Sequence, residues 1–136
     1  MKKKKLVIIM PEALIRDDLV ASSKRTGIFG SVGFEKADAG LDYLLKNRVE
    51  VLILDTAIPV PTSWENLGTK SCYQTGIAIL NQLKGKSDLP LVIFWGPVSL
   101  DQHESIKELK ARFRIFSSEE MDPDIFLRQV CKLVNK

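Results

Sequence analysis

Val51-Leu52-Ile53-Leu54 is an unbroken apolar run that ends on a single carboxylate, Asp55. Four consecutive apolar residues between turn signals read as a strand buried on both faces, which places it inside a parallel sheet. A carboxylate at the C-terminal edge of such a strand sits where open α/β sheets keep their functional crevice. The rest of the sequence is best read by asking what surrounds Asp55 and what is missing beside it.

Leu6–Met10 is a second run of the same kind, and Leu91–Trp95 a third, broken by Gly96-Pro97. Phe34–Ala37 and Phe113–Phe116 are expected as shorter strands. Helices are expected between them. Pro11 suits a first helical position, so the first helix should run from Pro11 to about Arg25, with Ile15 and Leu19 inward. Gly40–Asn47 and Gly76–Lys84 give two more helices, and Ser99 with Gln102 three residues on is a capping box that opens a fourth. Asp122-Pro123 pairs a cap with a first-turn proline for the last helix, whose expected buried residues are Ile125, Phe126, Val130, Leu133 and Val134. Gly27, Gly30 and Gly33 do not match a dinucleotide fingerprint and are read as turn chemistry. Five strands alternating with five helices predict one parallel sheet with helices on both faces.

One domain over residues 1–136 accounts for the whole sequence. Its anomaly is a long loop at about 56–75, carrying Pro59, Pro61, Trp64, Cys72 and Tyr73, expected to fold back over the sheet edge. Trp64 and Trp95 could stack as a pair near the crevice, or Trp64 could pack over the pocket. The five apolar residues after Lys2–Lys5 are too few for a signal peptide or a membrane span, which predicts a cytoplasmic protein with no membrane role. A net charge of +3 is too mild to point to nucleic acid, and the lysine cluster is read as a solubilising terminus. Cys72 and Cys131 lack metal-ligand spacing and are expected reduced. His103, the single histidine, is expected at the surface, so a nucleophilic triad is unsupported and no enzyme activity is predicted.

With its strand ending in Asp55, the Ala37-Asp38-Ala39-Gly40 helix entry, the Gly76…Leu83-Lys84 helix and Leu89-Pro90-Leu91-Val92-Ile93, the sequence resembles the receiver domain of two-component response regulators from Leu6 to Val134. That resemblance implies a flavodoxin-like (βα)5 three-layer sandwich with a five-stranded parallel sheet. It also implies that Asp55 stands where the family accepts a phosphoryl group from a histidine kinase. The family holds Mg²⁺ with an acid pair at the end of the first strand; here Met10 and Pro11 stand there, with Glu12 the nearest acid. Mg²⁺ held by Glu12 and Asp55 alone would be weak, because the ion demands an octahedral oxygen shell. Where the family has a Ser or Thr closing the fourth strand this chain has Trp95 followed by Gly96, and where it has Lys-Pro after the fifth strand this chain reads Phe116-Ser117-Ser118. Ser117, Ser118, Glu119 and Glu120 make that rim acidic. Thr56 joins Glu12, Trp95, Gly96 and Ser117 as a neighbour of the expected pocket.

Three functions stay open. The first is a degenerate response regulator that signals through protein contact, with a homodimer or partner surface on the last two helices. The second is a phosphoacceptor receiver using Asp55 and Mg²⁺. The third is a small-molecule-binding domain of the same fold.

Overall fold

The computed structural model describes residues 2–67, 71–119 and 121–135, with the side chains of 65–67 left aside. Strands β1 (Lys4–Ile9), β2 (Phe29–Phe34), β3 (Val51–Asp55), β4 (Leu91–Trp95) and β5 (Ile115–Ser118) alternate with helices α1 (Ala13–Arg25), α2 (Ala37–Lys46), α3 (Thr75–Leu83), α4 (Leu100–Leu109) and α5 (Pro123–Val134). All neighbouring strands are parallel, in the order β2-β1-β3-β4-β5. The chain steps from β1 outward to β2, then returns to place β3 on the other side of β1. This reversal makes β1/β3 the switch point, and Asp55 ends the strand on its inner side.

Alternation along the strands separates two cores. Leu6, Ile8, Val51, Ile53, Leu91, Ile93 and Trp95 face Leu19 of α1 and Phe126, Leu127 and Val130 of α5. Val7, Ile9, Leu52, Leu54, Val92 and Phe94 face the opposite way, against Leu41 and Leu44 of α2, Ile79, Leu80 and Leu83 of α3 and Ile106 and Leu109 of α4. The long continuous apolar runs are therefore explained by burial on both sides.

Several boundaries move. β2 lies at Phe29–Phe34, five residues before the expected start, and takes in Gly30 and Gly33. Only Gly27, at φ +79°, serves as turn chemistry. Strand glycines carry no apolar signal, which is why β2 is hidden in the sequence. Gly33 has a packing reason: a Cβ there would stand 2.9 Å from Arg16 Cγ and 3.3 Å from Val20 Cγ2. α2 then starts three residues early, at Ala37. Pro11 is not the first helical residue; α1 begins at Ala13 with Glu12 as its cap, which makes no side-chain capping bond. β5 starts at Ile115, while Phe113 is buried just ahead of it. In α5 the Asp122 carboxylate accepts from the Asp124 and Ile125 amides with Pro123 in the first turn, but Ile125 is half-exposed and Leu127 takes the inward place. Among the described residues, no helix is long and apolar enough to cross a membrane.

Candidate functional site

Asp55 closes β3 in register with Trp95 of β4, and Trp95 in turn with Ser118 of β5. On the other side Leu54 pairs with Ile9, so Met10, one step on, flanks Asp55. By strand alternation Asp55 shares its face with Val51 and Ile53, the α1/α5 side. Its carboxylate is half-buried, and its Oδ1 lies 3.5 Å from the Ala57 amide, a long contact of the kind that turns a chain after a strand.

The flanking strand ends supply mainly apolar groups. Met10 is buried in the α1/α5 core. Trp95 is buried too, and its ring meets Phe126 of α5 edge-on, with centroids 4.8 Å apart and planes at 87°. Its indole Nε1 is fully buried and has no hydrogen-bond partner among the described residues. An orphaned buried donor costs about 1–3 kcal/mol, so aromatic packing is what holds the ring here. Gly96 then leaves the strand at φ +101°, a conformation natural to glycine alone, and donates its amide to the Ser118 carbonyl at 2.9 Å.

Ser117 does not stand beside Trp95. The register pairs it with Phe94, and Ser118 takes the place one residue later. The shift follows from the late start of β5. Ser118 Oγ bonds to the Glu119 carbonyl at 3.2 Å; Glu120 lies outside the described residues. Thr56 is buried, its amide donating to the Trp95 carbonyl at 3.2 Å.

Glu12 is exposed at the start of α1. The residue that turns back to the end of β1 is Arg16, which no sequence pattern singles out. Its Nη1 donates to the Met10 carbonyl at 2.8 Å, with the Pro11 carbonyl at 3.4 Å. Only the missing side chain of Gly33 leaves room for its stem, a contact between distant residues that no local pattern records. A guanidinium at the end of β1 is a poor companion for Mg²⁺. Among the described residues no three His, Cys, Asp or Glu gather as a metal site. Asp55 and an exposed Glu12 are the carboxylates that the sequence offered for Mg²⁺, and the Met10 carbonyl at this edge is already held by Arg16.

The two tryptophans do not form a pair. Trp64 is buried in the α2/α3/α4 core, across the sheet from Trp95. The described parts of the segment between β3 and α3 hold two short 3₁₀ turns, Thr62–Leu67 and Cys72–Gln74, after a crossing at Ile58. Ile58 donates its amide to the Cys72 carbonyl at 3.1 Å, and its carbonyl accepts from the buried Thr75 hydroxyl at 2.5 Å. Gln102 completes the closure. It forms the capping box foreseen from the sequence, its Oε1 accepting from the Ser99 amide at 2.8 Å. Beyond that role, its Nε2 donates to the carbonyls of Thr56 (2.8 Å) and Tyr73 (2.6 Å). One buried amide thus ties α4 to the residue after Asp55 and to the long loop. The sequence signal for the cap was present; nothing in it revealed the reach across the loops. His103 is exposed, and both cysteines are free and half-buried.

No protein-family model matches this chain, and no curated protein matches it in sequence. Solved structures do match in shape. The chemotaxis response regulator CheY4 of Vibrio cholerae superposes with a TM-score of 0.72 at 13% identity, over 97% of this chain and 99% of that one. A CheY-like receiver domain protein of Methanospirillum hungatei gives 0.70 at 13% identity, over 98% and 95%. The response regulator TrrA of Thermotoga maritima, solved in complex with Mg²⁺–BeF, gives 0.67 at 17% identity, over 96% and 98%. The chain has the fold of response-regulator receiver domains, and at these identities the likeness speaks for the fold alone.

Proposed function

We propose that this chain is a receiver-like signalling domain of the cytoplasm that works through protein–protein contact, with phosphorylation of Asp55 weak or absent. The observation that carries this reading is the set of strand ends around Asp55: Met10, Trp95 locked onto Phe126, and Ser118. Bringing a phosphoryl dianion to a carboxylate is electrostatic work that needs fixed positive charge or a metal aimed at the developing charge. Among these strand ends a thioether, a packed indole and a serine hydroxyl do not supply it, and the nearby Arg16 guanidinium is turned onto the Met10 and Pro11 carbonyls.

The contact surface is assigned to α4, β5 and α5, by analogy with the fold. β5 is an edge strand, and Leu100, Phe116 and Ile125 are large apolar side chains exposed on these elements. Partners suited to it are a histidine kinase, another signalling protein or a second copy of the chain.

Intact-protein mass spectrometry after incubation with acetyl phosphate and Mg²⁺, beside an Asp55→Asn control, tests the reading. No adduct on either protein is expected. A phosphoryl adduct on the wild type alone would establish the second reading, a phosphoacceptor using Asp55, which its half-buried place beside the switch point favours.

A further inference from the structure

Opposite Asp55, at the N-terminal edge of the sheet, lies an open cleft of about 310 Å³. Its floor is apolar, with Val49 and Leu91 buried beneath it. Its rim carries four cations, Lys4, Arg48, Arg112 and Arg114, and two carboxylates, Glu50 and Asp88. Four positive less two negative charges leave a surplus of two.

Part of this basic enrichment has a structural cause. Helix C-termini end on this side, and cations answer their carbonyls: Lys86 Nζ donates to Leu44 and Asn47 at 2.7 and 3.0 Å, and Arg112 to Lys84 at 2.8 Å. That cause does not reach Lys4, Arg48 or Arg114. Among the described residues Lys4 makes no side-chain hydrogen bond or ion pair, Arg114 only approaches the Phe116 ring at 6.0 Å, and Arg48 stands 3.9 Å from Asp88. The carboxylates, by contrast, are engaged. Glu50 Oε2 accepts the Lys5 amide at 2.6 Å, and Asp88 accepts the Ser87 hydroxyl at 2.7 Å.

We propose that this cleft binds a small organic phosphate monoester, its dianion held between Arg48, Arg114 and Lys4 and its carbon body resting on Val49 and Leu91. A monoester dianion matches the surplus of two charges, and a guanidinium meets phosphate oxygens through paired N–H donors. The volume is at the small end of ligand clefts, and an apolar floor with few polar groups is their usual construction. The site is separate from Asp55 and owes nothing to phosphorylation there.

Titration followed by amide NMR at fixed ionic strength tests it, with AMP, phenyl phosphate and inorganic phosphate as probes. Both esters are expected to shift the amides of Glu50, Leu91 and Arg114 saturably, and to bind about tenfold tighter than inorganic phosphate. The double variant Arg48→Gln/Arg114→Gln, altered only at the exposed rim, should weaken both esters by about tenfold or more. Lys36→Gln/Arg128→Gln removes the same net charge from exposed positions outside the cleft, and should leave binding within about threefold. Shifts that never saturate, equal affinity for inorganic phosphate, or equal losses in the two double variants would each overturn the proposal.

Discussion

The two faces of the sheet are finished differently at the edge that carries Asp55. On the α2/α3/α4 face, a long connection folds in and contributes Ile58 and Trp64 to the core, held by the Thr75 hydroxyl and the Gln102 amide. On the α1/α5 face, which Asp55 shares, the strands close the edge themselves, through Met10 and Trp95 against Phe126. The first closure is a polar latch over an apolar plug. The second is apolar packing around an N–H that has no partner among the described residues. The contrast separates an edge covered by a folded-in connection from one closed by the strands' own side chains. The framework is intact on both sides, while the space beside the strand-end aspartate is filled by an indole.

Truncating each plug probes that contrast. Trp95→Ala and Trp64→Ala should each cost about 3–5 kcal/mol by urea unfolding, as large aromatic truncations in cores do. The faces separate under a milder change. Trp95→Phe removes a donor that has no partner, so the volume loss is partly offset and the cost should stay below about 1.5 kcal/mol. A Trp95→Phe variant as damaged as Trp95→Ala would mean that the indole N–H is satisfied in solution, and the contrast would fail.

The latch is tested by Gln102→Ala. It strands the carbonyls of Thr56 and Tyr73 and breaks the capping box, which together should cost about 2–3 kcal/mol. Amide exchange should rise around Tyr73 and Gln74 and at the start of α4, while β1 and α5 keep their protection. Uniform loss of protection would show that the loop is not an independently closed unit.

Much of this architecture can be read in the chain because burial on both faces writes itself into sequence. Val51–Asp55 and Leu91–Trp95 fall where their apolar runs end, and Asp122-Pro123 opens α5 as its side chains dictate. β2 escapes because two of its six residues are glycine, one of them, Gly33, placed to admit Arg16 and Val20 from α1. β5 starts two residues late because Phe113 is buried ahead of the strand, and the register sets Ser118, with Ser117 one step back, beside Trp95. Asp55 and Trp95 are legible as neighbours, since each ends a continuous run. Arg16 and the far reach of Gln102 are not, since both depend on partners supplied by other elements of the fold.

The weakest effect lies at the outer rim of the α1/α5 face. Arg25, at the end of α1, donates to Asp124 in the first turn of α5 at 2.8 Å, and to Ser22 Oγ at the same distance. The Arg25 hydrogen bond, then the Ser22 hydroxyl, hold the Asp124 carboxyl below its ordinary range. A carboxyl that ionises more readily folded than unfolded adds stability above the unfolded pKa, about 3.9, and loses it as pH falls through the folded value. Arg25→Gln should therefore melt slightly below the wild type at pH 7, and the gap should close as pH drops below about 4. Both side chains are half-exposed or more, so the gap should also shrink in about 1 M salt. A gap that persists at low pH would mean that Arg25 acts through packing of its stem at the α1/α5 seam. The polar rim would then add nothing to a face already closed by Trp95 and Phe126.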